Sequence, residues 1–197
     1  MKTNTITLLI LMFFISCSQE KKLPILNNYI DDHGVRKNYL INDYHFKTQL
    51  GKKFTVENTK NKVYIANFFF TRCSSICPPM RKKLIDIATT IKSENFILVS
   101  YSIDTKNDSI SVLDKYSDRT SISKDKWYFL KGSTKELASI STKFRTSFTK
   151  YDKSNDFYHS SYVALIDTKQ QIRGFYDLLN KEAVTLLKED INLLLNE

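Results

Sequence analysis

Regular hydrophobic spacing begins only about a quarter of the way along this chain. An apolar run at residues 6–15 is followed by a polar stretch, and from residue 44 onward the pattern becomes periodic. Residues 44–48 and 53–56, around Gln49-Leu50-Gly51-Lys52, predict a β-hairpin. Residues 63–70 are almost continuously apolar, as in a central strand covered on both faces. Met80, Leu84, Ile87, Ala88 and Ile91 then recur at helical spacing over about 78–92, with prolines tolerated only in the first turn. A second buried strand is predicted at 96–103, a helix at 109–116, a strand at 127–130 and a helix at 134–144. After an irregular polar stretch at 145–158, residues 161–167 and 171–176 predict another hairpin. Residues 182–195 predict a closing amphipathic helix.

Alternating strands and helices with two hairpins imply an α/β fold with a central mixed sheet and helices on both faces. A cysteine pair, Cys73 and Cys77, falls where the first central strand feeds a helix, the place a thioredoxin-like domain would carry it. The region 38–197 is long enough for one such domain with a true core.

The N-terminus changes the picture of location. Lys2 followed by the short apolar run is the pattern of a secretory signal, and the run falls short of the roughly 20 residues a spanning helix needs. Phe14-Ile15-Ser16-Cys17 resembles the lipobox of bacterial lipoproteins. The expected organisation is a signal peptide over 1–16, a lipidated Cys17 with a polar tether over 17–37, and the domain beyond. The protein is then extracytoplasmic, on the periplasmic side, and anchored to the membrane by acyl chains. The net charge is +9, or +8 once Lys2 leaves with the signal. No nucleic-acid motif accompanies it, so it describes a lysine-rich surface open to anionic headgroups or an acidic partner.

Cys73 and Cys77 are the only cysteines after residue 17. Their spacing fits a structural disulfide, a redox pair or a metal clamp, and spacing alone does not choose. A position at a helix start favours thiolate, the reactive and metal-binding form. His159 lies at the end of the irregular stretch, before an apolar strand, and so can reach the sheet edge where the cysteines sit. Taken alone, a histidine in such a place is more often an ordinary loop or core histidine than a ligand. Together the three make an S₂N donor set suited to Cu(I), with Cu(II) or zinc also conceivable for these ligands. His33 and His45 fall in the tether and first hairpin and carry no ligand pattern.

The run Phe68-Phe69-Phe70-Thr71-Arg72-Cys73-x₃-Cys77-Pro78 resembles the signature of the Sco (SenC-type) copper proteins. The likeness continues through Ser102-Ile103-Asp104 with Asp108, Trp127-Tyr128-Phe129-Leu130-Lys131-Gly132, His159-Ser160 and Arg173-Gly174-Phe175-Tyr176-Asp177. Ser74 and Thr105 stand where the family commonly has proline, and Tyr158 where Asp often precedes the histidine. The resemblance implies a thioredoxin-like fold and copper ligation by Cys73, Cys77 and His159. It also implies delivery of copper to, or preparation of, the binuclear copper centre of cytochrome c oxidase. Partners would be that oxidase subunit or another copper enzyme, with no nucleic acid, and the protein would be a monomer. Asp104 is either an orienting residue near the ligands or a strand-end turn carboxylate. A thiol-disulfide oxidoreductase reducing partner cysteines through Cys73 and Cys77 is the competing reading, and in it His159 has no required role.

Overall fold

The computed structural model describes residues 22–26, 28–42, 44–146, 148–150 and 157–197. The signal and the expected lipidation residue Cys17 lie outside the described residues. The first predicted hairpin is present as β3 (Phe46–Lys47) and β4 (Lys53–Phe54). The core elements follow in the expected order: β5 (Val63–Phe69), α1 (Cys77–Thr90), β6 (Phe96–Ser102), α2 (Ile110–Asp118), β7 (Trp127–Leu130) and α3 (Thr134–Lys143). The chain then closes with β10 (Tyr162–Ile166), β11 (Ile172–Asp177) and α4 (Lys181–Leu195). Among the described residues no helix is long and apolar enough to cross a membrane.

The sheet has five strands in the order β11-β10-β5-β6-β7. β5, β6 and β7 run parallel, and β10 is antiparallel to both β5 and β11. Every residue of β5 and of β6 is buried, which explains why both strands are mostly apolar rather than alternating. The polar exceptions are satisfied internally, Ser100 donating to Asn67 at 2.7 Å and Ser102 to Asp108 at 2.5 Å. On one face Phe69 packs against Tyr116 of α2 and Phe129 of β7, and Met80 and Leu84 of α1 lie over the same face. α4 joins that side: Tyr176 donates to Asp190 at 2.7 Å, and Lys188 pairs with Asp86 of α1. On the other face Phe68 and Tyr101 meet Phe144, the residue that ends α3, and Phe46 of the first hairpin. Helices therefore cover both faces.

Two stretches hold more order than their sequence announces. Within the expected tether, β1 (Asn28–Ile30) pairs with β2 (Arg36–Asn38), turning at Gly34 with φ of 75°, a left-handed conformation that glycine adopts without a side-chain clash. Ahead of it the chain lies against β11, where Leu26 donates to the Ile172 carbonyl at 2.9 Å. The signal for this attachment is long-range: Arg173, itself buried, donates to the Leu23 carbonyl at 2.7 Å and to Asp167 and Glu197 at 2.9 Å. Within the stretch expected to be irregular, β8 (Thr149–Lys150) pairs with β9 (Phe157–Tyr158), and this pair delivers the chain to His159.

Candidate metal centre

The parallel strands all end at the same edge, and that edge is where the chain gathers its chemistry. β5 stops at Phe69, and the loop through Phe70-Thr71-Arg72 turns the backbone so that Cys73 and Cys77 face each other at the start of α1. Two carboxylates from the β6–α2 loop hold this turn. Asp108, fully buried, accepts from the Thr71 N–H at 3.1 Å, the Thr71 hydroxyl at 2.5 Å and the Ser102 hydroxyl at 2.5 Å. Asp104 accepts from the Arg72 guanidinium at 2.6 Å and from the Asn107 side chain at 2.9 Å. Burial works against its charge, but Arg72 and Asn107 outweigh that and hold its carboxyl below the usual range. Asp104 thus anchors the residue before Cys73 and shapes its own turn, and it lies outside the ligand cluster.

The start of α1 lacks a capping side chain: Ile76 occupies the N-cap position, and no acidic residue lies in the first turn. Pro78 and Pro79 have no N–H to satisfy, which lessens the need for one. The Cys77 N–H at the start of the helix is one of the groups that favour a thiolate at Cys73. The positive end of the helix dipole also favours negative charge there. A hydrogen bond from the Cys77 thiol holds the Cys73 pKa well below that of an ordinary thiol, against the opposing effect of burial, with His159, the Cys77 N–H and Ser75 assisting. Cys77 is pushed the opposite way, by its bond to Cys73 and by burial. The pair yields its first proton readily from Cys73 and holds its second.

His159 arrives from 82 residues downstream, with its Nε2 3.3 Å from the Cys77 sulfur. Its Nδ1 lies 3.2 Å from the Ser160 carbonyl. A carbonyl only accepts, so the tautomer that carries its proton on Nδ1 can use this contact and leave Nε2 free to take a metal. An acceptor on the far ring nitrogen is what a metal-bound imidazole needs, and here the backbone supplies it. The Phe70 ring meets the imidazole edge-on at 5.7 Å and closes one side. The two sulfurs and the histidine nitrogen all lie within 4.8 Å of one another, and all three residues are buried. Both cysteines are free thiols. Among the described residues this is the one group of three or more His, Cys, Asp or Glu side chains placed to hold a metal ion.

All three ligands proposed from the sequence therefore converge, while Cys17 lies outside the described residues. Sequence reasoning assigned no task to Thr71, Arg72 or Asp108. Their signal was present in the pairing of Thr71-Arg72 with two carboxylates four residues apart, but only the fold places those segments together.

Comparison with known proteins bears on what such a site does. The SCO1/SenC family model matches residues 33–193. The SCO1 protein homolog of Bacillus subtilis is 31% identical over 174 residues, covering 86% of this chain and 84% of that one. A SCO1/SenC family lipoprotein from Bacillus anthracis superposes with a TM-score of 0.70 at 25% identity, covering 77% of this chain and 92% of that one. BsSco, described as a member of the Sco family of cytochrome c oxidase assembly proteins with a disulfide switch, superposes with a TM-score of 0.70. It is 28% identical, covering 81% of this chain and 95% of its own. Yeast Sco1 with copper bound gives a TM-score of 0.62 at 25% identity, covering 76% of this chain and 86% of that one.

Proposed function

The chain belongs to the SCO1/SenC family, and from that premise we propose that it is a copper-binding metallochaperone serving cytochrome c oxidase assembly. Cys73, Cys77 and His159 would take one copper ion and pass it to, or prepare, the oxidase's binuclear copper centre. The observation that carries this reading is the convergence of two thiol sulfurs and an imidazole nitrogen within 4.8 Å at a buried edge. Two sulfurs and one nitrogen form a soft donor set that favours Cu(I) over harder ions. The Cys73 thiolate is already favoured before any metal arrives, which lowers the proton cost of loading. Three ligands leave room for an incoming soft ligand from the acceptor to bind before the ion departs. Lipidation at Cys17 would hold the protein to the membrane on its extracytoplasmic side, in keeping with the B. anthracis relative described as a lipoprotein.

The test replaces His159, which a thiol-disulfide exchange does not require. In cells dependent on this chain, His159→Ala is expected to lose oxidase copper-centre assembly as fully as Cys73→Ser does, while its thiols still form and exchange the Cys73–Cys77 disulfide. Normal assembly with His159→Ala, alongside failure of both cysteine variants, would overturn copper transfer in favour of thiol reduction.

A further inference from the structure

The same sheet that carries the sulfurs at one end receives the N-terminal segment at the other. β5 runs from Val63 at this second end, the base, to Phe69 below the metal centre, and its seven residues span about 20 Å. Because β10 is antiparallel to β5, its last residue Ile166 lies beside Tyr64 and the turn to β11 falls at the base. Arg173 grips the chain there, taking the Leu23 and Pro24 carbonyls together with Asp167 and Glu197. Lys22 thus lies beside Lys169 and the end of α4, lining a shared cleft.

The four loops of the base are tied to one another. Gln170 donates to the Thr59 carbonyl, Lys62 to the Glu94 carbonyl and Lys126 to the Ile91 carbonyl. Each loop contributes lysine: Lys60 and Lys62, Lys92, Lys126, and Lys169. Glu57, paired with Lys60 at 3.7 Å, shares this end with Glu94 and Asp125, while Asp167 and Glu197 are engaged by Arg173. Lys92 and Lys126 are close enough for their like charges to interact, and burial together with Lys92 lowers the Lys126 pKa.

We propose that this lysine-bearing base is a docking surface for anionic phospholipid headgroups, and that the Arg173 clamp keeps the leash to the membrane so short that the metal centre is carried on the side away from the lipid. The inference rests on lipidation of Cys17 in the reading above. Four residues lie between Cys17 and Lys22, and the five steps from one to the other extend to at most about 18 Å. With the metal centre turned toward the bilayer, Lys22 would stand at least the length of β5 above the headgroups, beyond the reach of that leash. Among the remaining orientations, attraction between lysine and anionic lipid selects the base-down one. The clamp matters because chain held at Leu23 and Pro24 cannot be spent on reach.

The experiment uses the full lipidated chain in phosphatidylglycerol-containing vesicles, with a fluorophore at Asn95 on the base or at Lys106 beside the metal centre. A nitroxide on the lipid headgroups is the quencher. Quenching is expected to be several-fold stronger at Asn95 than at Lys106. Replacing Lys92 and Lys169 with Gln should shrink that difference, as should a Gly/Ser insertion of about 20 residues after Gln19, which restores a flexible leash. Equal or reversed quenching on a chain whose mass shows an acylated Cys17 overturns this inference and leaves the lipoprotein reading standing. A mature chain with unmodified Cys17 overturns both. Neither outcome touches copper binding, which is measured separately on the same samples.

Discussion

Cys77 depends on both of its neighbours at the centre: its thiol supports the Cys73 thiolate, and its sulfur lies 3.3 Å from the His159 nitrogen. Cys73→Ser and Cys77→Ser should therefore each abolish tight copper binding by the reduced protein, since serine offers no soft donor. Competition with a Cu(I) chelator measures this, and an equally tight single mutant would place the metal elsewhere. His159→Ala should weaken affinity by more than the roughly 10–100-fold that loss of a ligand's supporting partner costs. Asp108 makes a different prediction. Truncating it to Ala strands the Thr71 N–H and two hydroxyls in a buried site, so stability should fall by about 2–3 kcal/mol in chemical denaturation. At this scale the candidate ligands were legible because cysteine and histidine carry their chemistry in their identity. Asp108 was not, because a carboxylate's task depends on which donors the fold brings to it.

Elements with a strong pattern stand where the sequence placed them, since burial on both faces makes β5 and β6 nearly continuous apolar runs broken only by Asn67, Ser100 and Ser102. The helix expected from residue 78 starts one residue earlier, at Cys77, with Pro78 and Pro79 fitting its first turn. The hairpin of residues 28–38 and the β8–β9 pair escaped notice because each strand is only two or three residues long, too short to show a period. Their order comes from contacts with distant segments, such as Arg145 donating to the Asn28 carbonyl. One junction between elements is tight enough to predict from. A methyl group on Gly132 would collide with the buried Phe46 ring where the first hairpin bridges to Lys131 beyond β7. Gly132→Ala should cost about 1–3 kcal/mol, read as a lower denaturation midpoint, by displacing that ring from Tyr101. An unchanged midpoint would mean that the hairpin shifts freely.

For the whole molecule, metal binding and folding are linked through one buried site. An ion that binds the native chain and not the unfolded one stabilises it by about 2.7 kcal/mol at a hundredfold excess over Kd. Cu(I) should therefore raise the melting temperature of the reduced protein. It should leave the form with Cys73 joined to Cys77 unchanged, because that bond consumes both thiolates. Equal shifts in both forms, followed by scanning calorimetry, would detach the metal from the cysteines. The most direct test is X-ray absorption at the copper edge of the loaded, reduced protein. The account predicts one copper per chain with two sulfur ligands and one imidazole nitrogen, the nitrogen signal vanishing in His159→Ala. A copper environment of nitrogen and oxygen alone, or one unaltered when Cys73 and Cys77 are both replaced by serine, would contradict it.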